Sequence, residues 1–234
     1  MPYGNLPITE NLTQICHFLV CGGSGSGKSV FLLYVLFQLL DMPLGVFIGD
    51  FKGSGLFDGI TPHYAEFEAI TELIEAFYEQ YQNIKKNQTG EKILLIIDEY
   101  AGYITFLESN DKKKCTAIKG KIAEILMQGR ALRGGGSAWL WCVCQRCDST
   151  YFEKSRENFM LRVGFSNISS ESKRMLGFLA EDIPENYKPM TGKALLSVDG
   201  KPSLRVLQVP KVDIVKLKKL LRIKAERRNS EAIS

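Results

Sequence analysis

The chain has 234 residues, and 45% of them are hydrophobic, which is enough to bury one substantial core, so we expect a single globular unit. The net charge of +4 and the pI near 8.6 are too mild to indicate a nucleic-acid partner alone, although they are compatible with local cationic loops. The longest apolar run, residues 30–40, is interrupted by Gln38 and is shorter than the roughly 20 residues of a membrane-spanning helix, so we expect no membrane span in this chain.

The six cysteines are scattered along a chain that opens without a signal peptide, so we expect free thiols and a cytoplasmic location. Cys142 and Cys144 fall on one face of a predicted strand, with Cys147 just beyond it, and no fourth zinc ligand lies nearby. Buried thiols are therefore favoured over a zinc site, which would have to recruit Cys16, Cys21 or His17.

Strand and helix patterns alternate along the body of the chain, which is typical of an α/β fold with a mainly parallel sheet covered by helices. Short apolar runs predict five strands, at residues 17–21, 46–48, 93–97, 139–144 and 161–165. Apolar residues at helical spacing predict three helices, at residues 28–40, 70–86 and 118–132. The chain is thus predicted to be an α/β sandwich.

A glycine-rich loop follows the first predicted strand and opens the first predicted helix. It reads Gly22-Gly23-Ser24-Gly25-Ser26-Gly27-Lys28-Ser29 and fits the P-loop pattern G-x-x-x-x-G-K-[ST]. Its amides would point at phosphate oxygens, Lys28 would reach the β and γ phosphates of ATP, and Ser29 would ligate Mg²⁺. The predicted nucleotide contacts are Gly22, Gly23, Ser24, Gly25, Ser26, Gly27, Lys28, Ser29 and Val30.

Two carboxylates, Asp98 and Glu99, directly follow the apolar run at residues 93–97. Open α/β sheets place ligands at the carboxyl ends of their strands, so both carboxylates are predicted to lie in the nucleotide site. Asp98 would hold the Mg²⁺ shell, and Glu99 would polarise the water that attacks the γ-phosphate. The pair therefore favours ATP hydrolysis over phosphoryl transfer to another substrate.

A further predicted strand, ending in Asp50-Phe51-Lys52-Gly53, lies between these two motifs along the chain, and a later strand ends in Cys144-Gln145-Arg146. This order is the layout of the additional-strand, catalytic-glutamate ATPases. In that layout Gln145 would contact the γ-phosphate or the water. A polar strand end that faces solvent is the alternative interpretation of Gln145.

Together these motifs make residues 18–178 resemble the FtsK/SpoIIIE DNA translocases and the related coupling ATPases of conjugative elements. The resemblance extends to the stretch Gln128-Gly129-Arg130-Ala131-Leu132-Arg133-Gly134, which leads into an apolar strand. It implies a RecA-like P-loop NTPase fold, a three-layer sandwich with a mainly parallel central sheet, and ATP and Mg²⁺ as ligands.

The resemblance also implies a hexameric ring in which an arginine on the helix before this strand completes the neighbouring subunit's ATP site. Arg130 or Arg133 would be that arginine, and a structural arginine at a helix end is the alternative. Membrane helices and a DNA-reading winged helix, common in the family, are not found in this sequence. We therefore expect an isolated motor domain or a minimal relative from a mobile element, with a membrane-anchored or DNA-processing partner possible.

Double-stranded DNA is the partner that the resemblance implies, and its contacts would come from loops lining the ring's channel. The first candidate is an insertion at residues 103–116 that carries Lys112, Lys113 and Lys114. A solvated charge run is the alternative. Secretion of protein or packaging of a virion genome would use the same catalytic residues, and a P-loop kinase or nucleotide switch is a further alternative.

The last part of the chain differs in composition from the body. We predict a motor core at residues 1–182 and a C-terminal unit at residues 183–234, with a hairpin at Asp199-Gly200 followed by a basic amphipathic helix. This helix either contacts polyphosphate or packs one apolar face on the core as an ordinary surface helix.

Overall fold

The computed structural model describes residues 9–185, 187–201 and 203–231. Its centre is an eight-stranded sheet in the order β3-β2-β4-β5-β1-β6-β7-β8. The strands are β1 (His17–Cys21), β2 (Gly45–Asp50), β3 (His63–Glu66), β4 (Lys92–Asp98), β5 (Ser137–Cys144), β6 (Leu161–Phe165), β7 (Lys193–Val198) and β8 (Arg205–Gln208). The pairings among β1 to β6 are parallel, and β7 and β8 add an antiparallel hairpin at one edge.

Two layers of helices cover the sheet. The helices are α1 (Lys28–Leu39), α2 (Ile70–Asn87), α3 (Tyr100–Asn110), α4 (Lys112–Gln128), α5 (Ser170–Met175) and α6 (Ile214–Glu231). Alternate residues of the buried strands feed two separate apolar cores, because neighbouring side chains of a strand point to opposite faces. Helices α2 to α5 pack on one core and α1 and α6 on the other, so the predicted three-layer α/β sandwich is confirmed.

The order of the central strands determines where the site can form. β5 lies between β1, which leads into the glycine-rich loop, and β4, which leads into Asp98. This is an additional-strand layout, but the strand that lies between β1 and β4 in the sheet is β5, whereas β2, which separates the two motifs along the chain, lies on the far side of β4. All three strands are parallel, so their carboxyl ends meet at one edge of the sheet, where ligands of open α/β folds bind.

Most predicted elements are present, with small changes in their bounds. The five predicted strands are β1, β2, β4, β5 and β6, and the predicted hairpin is β7 and β8. The short strand β3 has no sequence counterpart among the predictions, because its four residues are half-buried or exposed and carry no apolar run. The division of the chain at residue 182 stays a prediction.

For the middle of the chain, one prediction is wrong and another differs in its bounds. The expected insertion at residues 103–116 is largely helical, because Tyr103, Ile104 and Leu107 are buried on one face of α3. The helix expected at 118–132 is α4, which begins at Lys112 and ends at Gln128. The side chain of Asp111 accepts a hydrogen bond from the backbone N–H of Lys114 and caps α4.

The C-terminal helix α6 packs on α1 through the buried residues Leu217, Leu221 and Ala225. Its apolar stripe is narrower than predicted, because Val215 is 79% exposed and Leu220 is 40% exposed. None of the helices within the described ranges is long and apolar enough to cross a membrane.

Candidate nucleotide site

The glycine-rich loop connects β1 to α1 at the carboxyl edge of the sheet. Its turn requires positive φ at Gly25 (70°) and Gly27 (109°), a backbone region that favours glycine. A Cβ atom on Gly27 would also lie 3.1 Å from the Cα atom of Gly192, and the N–H of Gly192 donates to the carbonyl of Ser26 at 2.9 Å. The loop is therefore held from outside by the segment before β7, and its form at a helix N-terminus is that of a phosphate-binding loop.

Lys28 is almost fully buried, and its ammonium is folded back onto the loop. Its Nζ atom donates to the carbonyls of Gly22 and Gly23 at 2.5 Å and 2.9 Å. Burial lowers the pKa of Lys28, and the nearby charge of Lys52 lowers it further, while Asp98 and Glu99 oppose this shift. Lys28 of the glycine-rich loop is therefore close enough to Asp98 and Glu99 to interact with them electrostatically, as the sequence predicts.

Asp98 ends β4 and is 4% exposed. Burial raises the pKa of Asp98 to about 6, against the opposing effect of the Lys52 charge. Within the residues that the structure describes, neither the Asp98 carboxylate nor the Ser29 hydroxyl makes a side-chain hydrogen bond to the protein. A buried carboxylate and a hydroxyl that both lack protein partners are hard oxygen donors, which is the chemistry that Mg²⁺ requires.

Glu99 follows Asp98 in a left-handed conformation, with φ of 62°. Such a conformation is uncommon for a residue other than glycine, and it turns the chain sharply from β4 into α3. Glu99 Oε2 lies 2.8 Å from Lys52 Nζ, and the two side chains are 13% and 35% exposed. The contact is an ion pair without hydrogen-bond geometry, since this oxygen has no hydrogen-bond partner in the described structure.

The side chain of Glu99 also has a defined packing environment. A Cβ atom placed on Gly102, in the first turn of α3, would meet the Cγ atom of Glu99 at 3.0 Å and the ring of Phe51 at 3.2 Å. Gly102 therefore leaves the space that the Glu99 side chain occupies, and Phe51 closes that space from the β2 side.

Gln145 follows β5 at the same edge of the sheet. Its neighbour Cys144 pairs in register with Cys21, and the N–H of Gly22 donates to the Cys144 carbonyl at 3.2 Å. The half-buried Gln145 thus lies next to the start of the phosphate loop, between the glycine-rich loop and Asp98. Its γ-phosphate role stays a prediction.

Arg130 and Arg133 do not lie on α4, which ends at Gln128; both follow it in the connection to β5, where Arg133 begins a short 3-10 helix. Both are exposed. His17 begins β1, and its pKa is lowered to about 4, mainly by burial. The positive charge of Arg130 also lowers this pKa, so Arg130 lies near His17. Arg130 is thus at the opposite end of β1 from the glycine-rich loop, so it is remote from the phosphate site of its own chain.

Lys112, Lys113 and Lys114 form the exposed first turn of α4 rather than a loop. They lie at the far end of α3 from Glu99, about 16 Å along an 11-residue helix. Three positive charges at a helix N-terminus are opposed by the helix dipole, which favours anions there. The cluster is therefore an exposed cationic surface at the start of α4.

The cysteines are all buried, as the sequence predicts for structural thiols. No group of three or more metal-ligating His, Cys, Asp or Glu side chains exists among the residues that the structure describes. His17 is also buried, and its Nδ1 atom accepts a hydrogen bond from the N–H of Leu140 at 3.2 Å, so this ring has a structural role.

This fold and this site together have the layout of a P-loop NTPase of the additional-strand type, with Glu99 as the candidate catalytic glutamate. No protein-family model matches the chain. The chain is similar to the FtsK domain-containing protein YdcQ of Bacillus subtilis (strain 168), with 23% identity over 221 residues. That match covers 83% of this chain but only 44% of YdcQ, so the chain spans less than half of the length of this curated relative.

Solved structures show the same fold. The pCW3 conjugation coupling protein TcpA, a monomer form with ATPγS, has a TM-score of 0.72 and 22% identity, covering 93% of this chain and 67% of TcpA. ATPases 2 and 3 of EssC from Geobacillus thermodenitrificans have a TM-score of 0.63 and 13% identity, covering 93% and 44%. The genome packaging NTPase B204 of Sulfolobus turreted icosahedral virus 2, in complex with ATPγS, has a TM-score of 0.51 and 15% identity, covering 82% and 96%.

These relatives confirm, at the level of fold, the FtsK-type resemblance and the RecA-like class. They are named as ATPases, as an NTPase or as an FtsK domain protein, in agreement with the predicted ATPase. The site contains one partnership that the motifs do not predict, the ion pair of Lys52 with Glu99. In the sequence, the feature that could have indicated this ion pair is the position of Lys52 just after β2, the strand that pairs with β4.

Proposed function

We propose that this chain is an ATP-hydrolysing, FtsK/SpoIIIE-like DNA translocase motor that serves DNA transfer or segregation of a mobile element or chromosome. The observation that carries the proposal is the meeting of Lys28, Asp98 and Glu99 at one edge of the sheet. Hydrolysis of a γ-phosphate needs a cation that binds the phosphates, a carboxylate that binds the metal and a second carboxylate that activates water. Lys28, Asp98 and Glu99 would supply these three groups.

Each residue has a defined task in this proposal. Lys28 would leave the carbonyls of Gly22 and Gly23 and bind the β and γ phosphates of ATP. Ser29 and Asp98 would hold Mg²⁺, which would supply charge neutralisation to the phosphates. Glu99 would accept a proton from the attacking water, and Gln145 would orient that water or the γ-phosphate.

The chain would act in a hexameric ring. Arg130 and Arg133 are exposed and Arg130 lies away from its own phosphate site, so either would serve only the ATP site of a neighbouring copy. Positive charge supplied in this way would make hydrolysis depend on assembly. The motor would work in the cytoplasm, associated with the membrane through a membrane-anchored or DNA-processing partner.

Double-stranded DNA would contact Lys112, Lys113 and Lys114 through its phosphates. These side chains are exposed and carry no ion pair within the described residues, so their charge is available to a polyanion. Contacts of this kind do not read sequence and weaken as salt rises. The name of TcpA, a conjugation coupling protein, supports DNA as the transported polymer.

The test is the steady-state ATPase rate with and without linear double-stranded DNA, over a salt series and over protein concentrations that span assembly. We expect stimulation that fades with salt and a DNA-binding salt slope that falls by about 2 to 3 when the three lysines are replaced by alanine. Replacement of three other exposed lysines, Lys211, Lys216 and Lys219, by alanine is the matched control for charge. A rate indifferent to DNA would contradict the proposal.

The second candidate is a secretion or genome-packaging ATPase. The similarity to EssC and to the packaging NTPase B204 favours it, because both share this fold. It would use the same catalytic residues and differ in the surface that contacts the transported polymer. Stimulation by a protein substrate, with none by DNA, would identify secretion.

A further inference from the structure

Lys52 is a second lysine of the phosphate site and lies directly on the candidate catalytic base. Its ammonium is 2.8 Å from Glu99 Oε2, and its charge also lowers the pKa of Lys28 in the cradle. Lys28 is folded onto backbone carbonyls and Lys52 onto Glu99, so the protein itself engages these two cations. A triphosphate would compete for both.

The backbone that carries Lys52 is held firmly. The buried carboxylate of Asp50 accepts hydrogen bonds from the N–H of Lys52 at 3.1 Å, the N–H of Ser54 at 2.9 Å and the Ser54 hydroxyl at 2.6 Å. Gly53 has a positive φ and lies beneath the ring of Phe67, which would collide with any Cβ atom there. Movement of Lys52 is therefore movement of its side chain alone.

Helix α6 holds the rest of the same segment from the other side. Lys218 Nζ donates to the Gly55 carbonyl at 2.8 Å, and the Arg222 guanidinium donates to the Asp58 carbonyl at 3.0 Å and 2.7 Å. The segment 50–59 is thus fixed both to the sheet and to the C-terminal helix. Lys52 extends from a rigid support toward Glu99.

The ion pair itself is weak enough to exchange. The Lys52 side chain is 35% exposed, and the contact with Glu99 lacks hydrogen-bond geometry. Solvent reaches the Lys52 end of the pair and screens it, so the pair contributes less than a fully buried one would. The terminal phosphate of ATP offers several anionic oxygens and would attract the ammonium more strongly than one carboxylate does.

We propose that Lys52 is a positioning residue that pairs with Glu99 and transfers to the γ-phosphate when ATP binds. The transfer frees the Glu99 carboxylate to accept the proton of the attacking water. This inference rests on the proposed function, since it assigns a task to Glu99 in hydrolysis. It also makes Lys52 selective for a triphosphate, because a diphosphate lacks the group that receives the ammonium.

A double-mutant cycle on nucleotide affinity tests the exchange without requiring turnover. ATPγS and ADP are titrated calorimetrically into the wild-type chain, Lys52→Met, Glu99→Gln and the double variant. Glu99→Gln releases Lys52, so we expect ATPγS to bind about tenfold tighter, a gain that largely disappears in the Lys52→Met background. ADP affinity should change by less than about twofold across the cycle.

An equal gain of ATPγS affinity in both backgrounds would show only relief of charge repulsion and would overturn the proposal. Lys86→Met, at an exposed position of α2, is the matched control for loss of a lysine. Lys52→Arg should retain the cycle and the turnover number, whereas loss of both would indicate that Lys52 acts only structurally.

The outcome separates this inference from the proposed function. ATPγS binding with coupling between the two residues, but without DNA-stimulated hydrolysis, would support the exchange and contradict the motor. Hydrolysis without coupling would support the motor and contradict the exchange. Failure of the wild-type chain to bind ATPγS would overturn both.

Discussion

Asp50 and Asp98 are register partners at the ends of the neighbouring strands β2 and β4, and both carboxyl groups are almost fully buried. Asp50 accepts three hydrogen bonds from Lys52 and Ser54, whereas the Asp98 carboxylate accepts none in the described structure. Two identical side chains at equivalent strand ends therefore have different tasks. Asp50 builds the turn after β2, whereas Asp98 has the unbonded carboxylate that a metal-binding role would require.

Removal of the Asp98 charge should stabilise the nucleotide-free chain. Burial raises the pKa of Asp98 from 3.8 to about 6, so the ionised form is less favourable in the folded chain than in the unfolded one. This penalty is absent below about pH 4, grows between about pH 4 and 6, and is complete above. Asp98→Asn should therefore raise Tm by a few degrees at pH 8 and much less at pH 4.5.

Thermal unfolding followed by circular dichroism at the two pH values measures this difference. Asp199→Asn, at the exposed turn between β7 and β8, is the control. Equal Tm values for Asp98→Asn and wild type at pH 8 would contradict the assignment of a buried, uncompensated carboxylate.

Two substitutions should separate binding from hydrolysis. Lys28→Ala should abolish productive ATP binding or turnover, because it removes the cation of the cradle. Glu99→Gln should retain bound ATP and lower kcat by about 10²-fold to 10⁴-fold, as expected when a water-activating group is lost. Single-turnover hydrolysis beside equilibrium binding of ATP measures both effects, and a Gln variant as active as wild type would disprove the role of Glu99.

A methyl group on Gly102 should disturb the base without disturbing the helix. The added Cβ atom would press on Glu99 Cγ at 3.0 Å and on the Phe51 ring, so Gly102→Ala should lower kcat about tenfold while ATP affinity stays within about twofold. Gly120→Ala, in α4 with nothing within 4 Å of the new Cβ atom, is the matched control and should stabilise its helix. Unchanged kcat in Gly102→Ala would show that Glu99 tolerates displacement.

The arginine in trans is tested by mixing inactive proteins. Arg130→Ala and Arg133→Ala should each retain ATP binding, and the variant that lacks the finger should lose assembly-dependent ATPase activity. Mixing that variant with Lys28→Ala should restore part of the activity, because mixed neighbours combine an intact cradle with an intact arginine. Steady-state ATPase rates over a mixing series measure this, and no recovery for either arginine would indicate structural roles.

Helix α6 should restrain the segment that carries Lys52. In a Lys218→Met/Arg222→Met variant, the bonds to Gly55 and Asp58 are lost, so amide hydrogen exchange in residues 53–59 should accelerate about tenfold or more. Lys219→Met, an exposed position on the same helix, should leave the exchange unchanged. Equal exchange in all three proteins would show that the Asp50 bonds suffice to hold the segment.

The sequence by itself determined the phosphate loop, the Asp98-Glu99 pair and the parallel sheet. These features are recognisable because each depends on residues that are contiguous in the chain, with buried strands that read as apolar runs and a loop whose glycines meet a strict spacing. The order of the strands along the chain also indicated that Gln145 would end a strand at the site edge.

Only the tertiary structure decided which charges meet. Lys52 and Glu99 are distant in the sequence. Lys52 Nζ lies 2.8 Å from Glu99 Oε2 because the strands that precede these residues, β2 and β4, are neighbours in register. Residues 103–110 are helical because α3 buries one face against the core. The polar, lysine-rich stretch that follows them had suggested a loop, and the sequence pattern did not show this burial. Helix α4 ends at Gln128, and Arg130 follows it at the opposite end of the sheet from the glycine-rich loop. The local sequence pattern did not give this position, because tertiary packing sets where the helix ends.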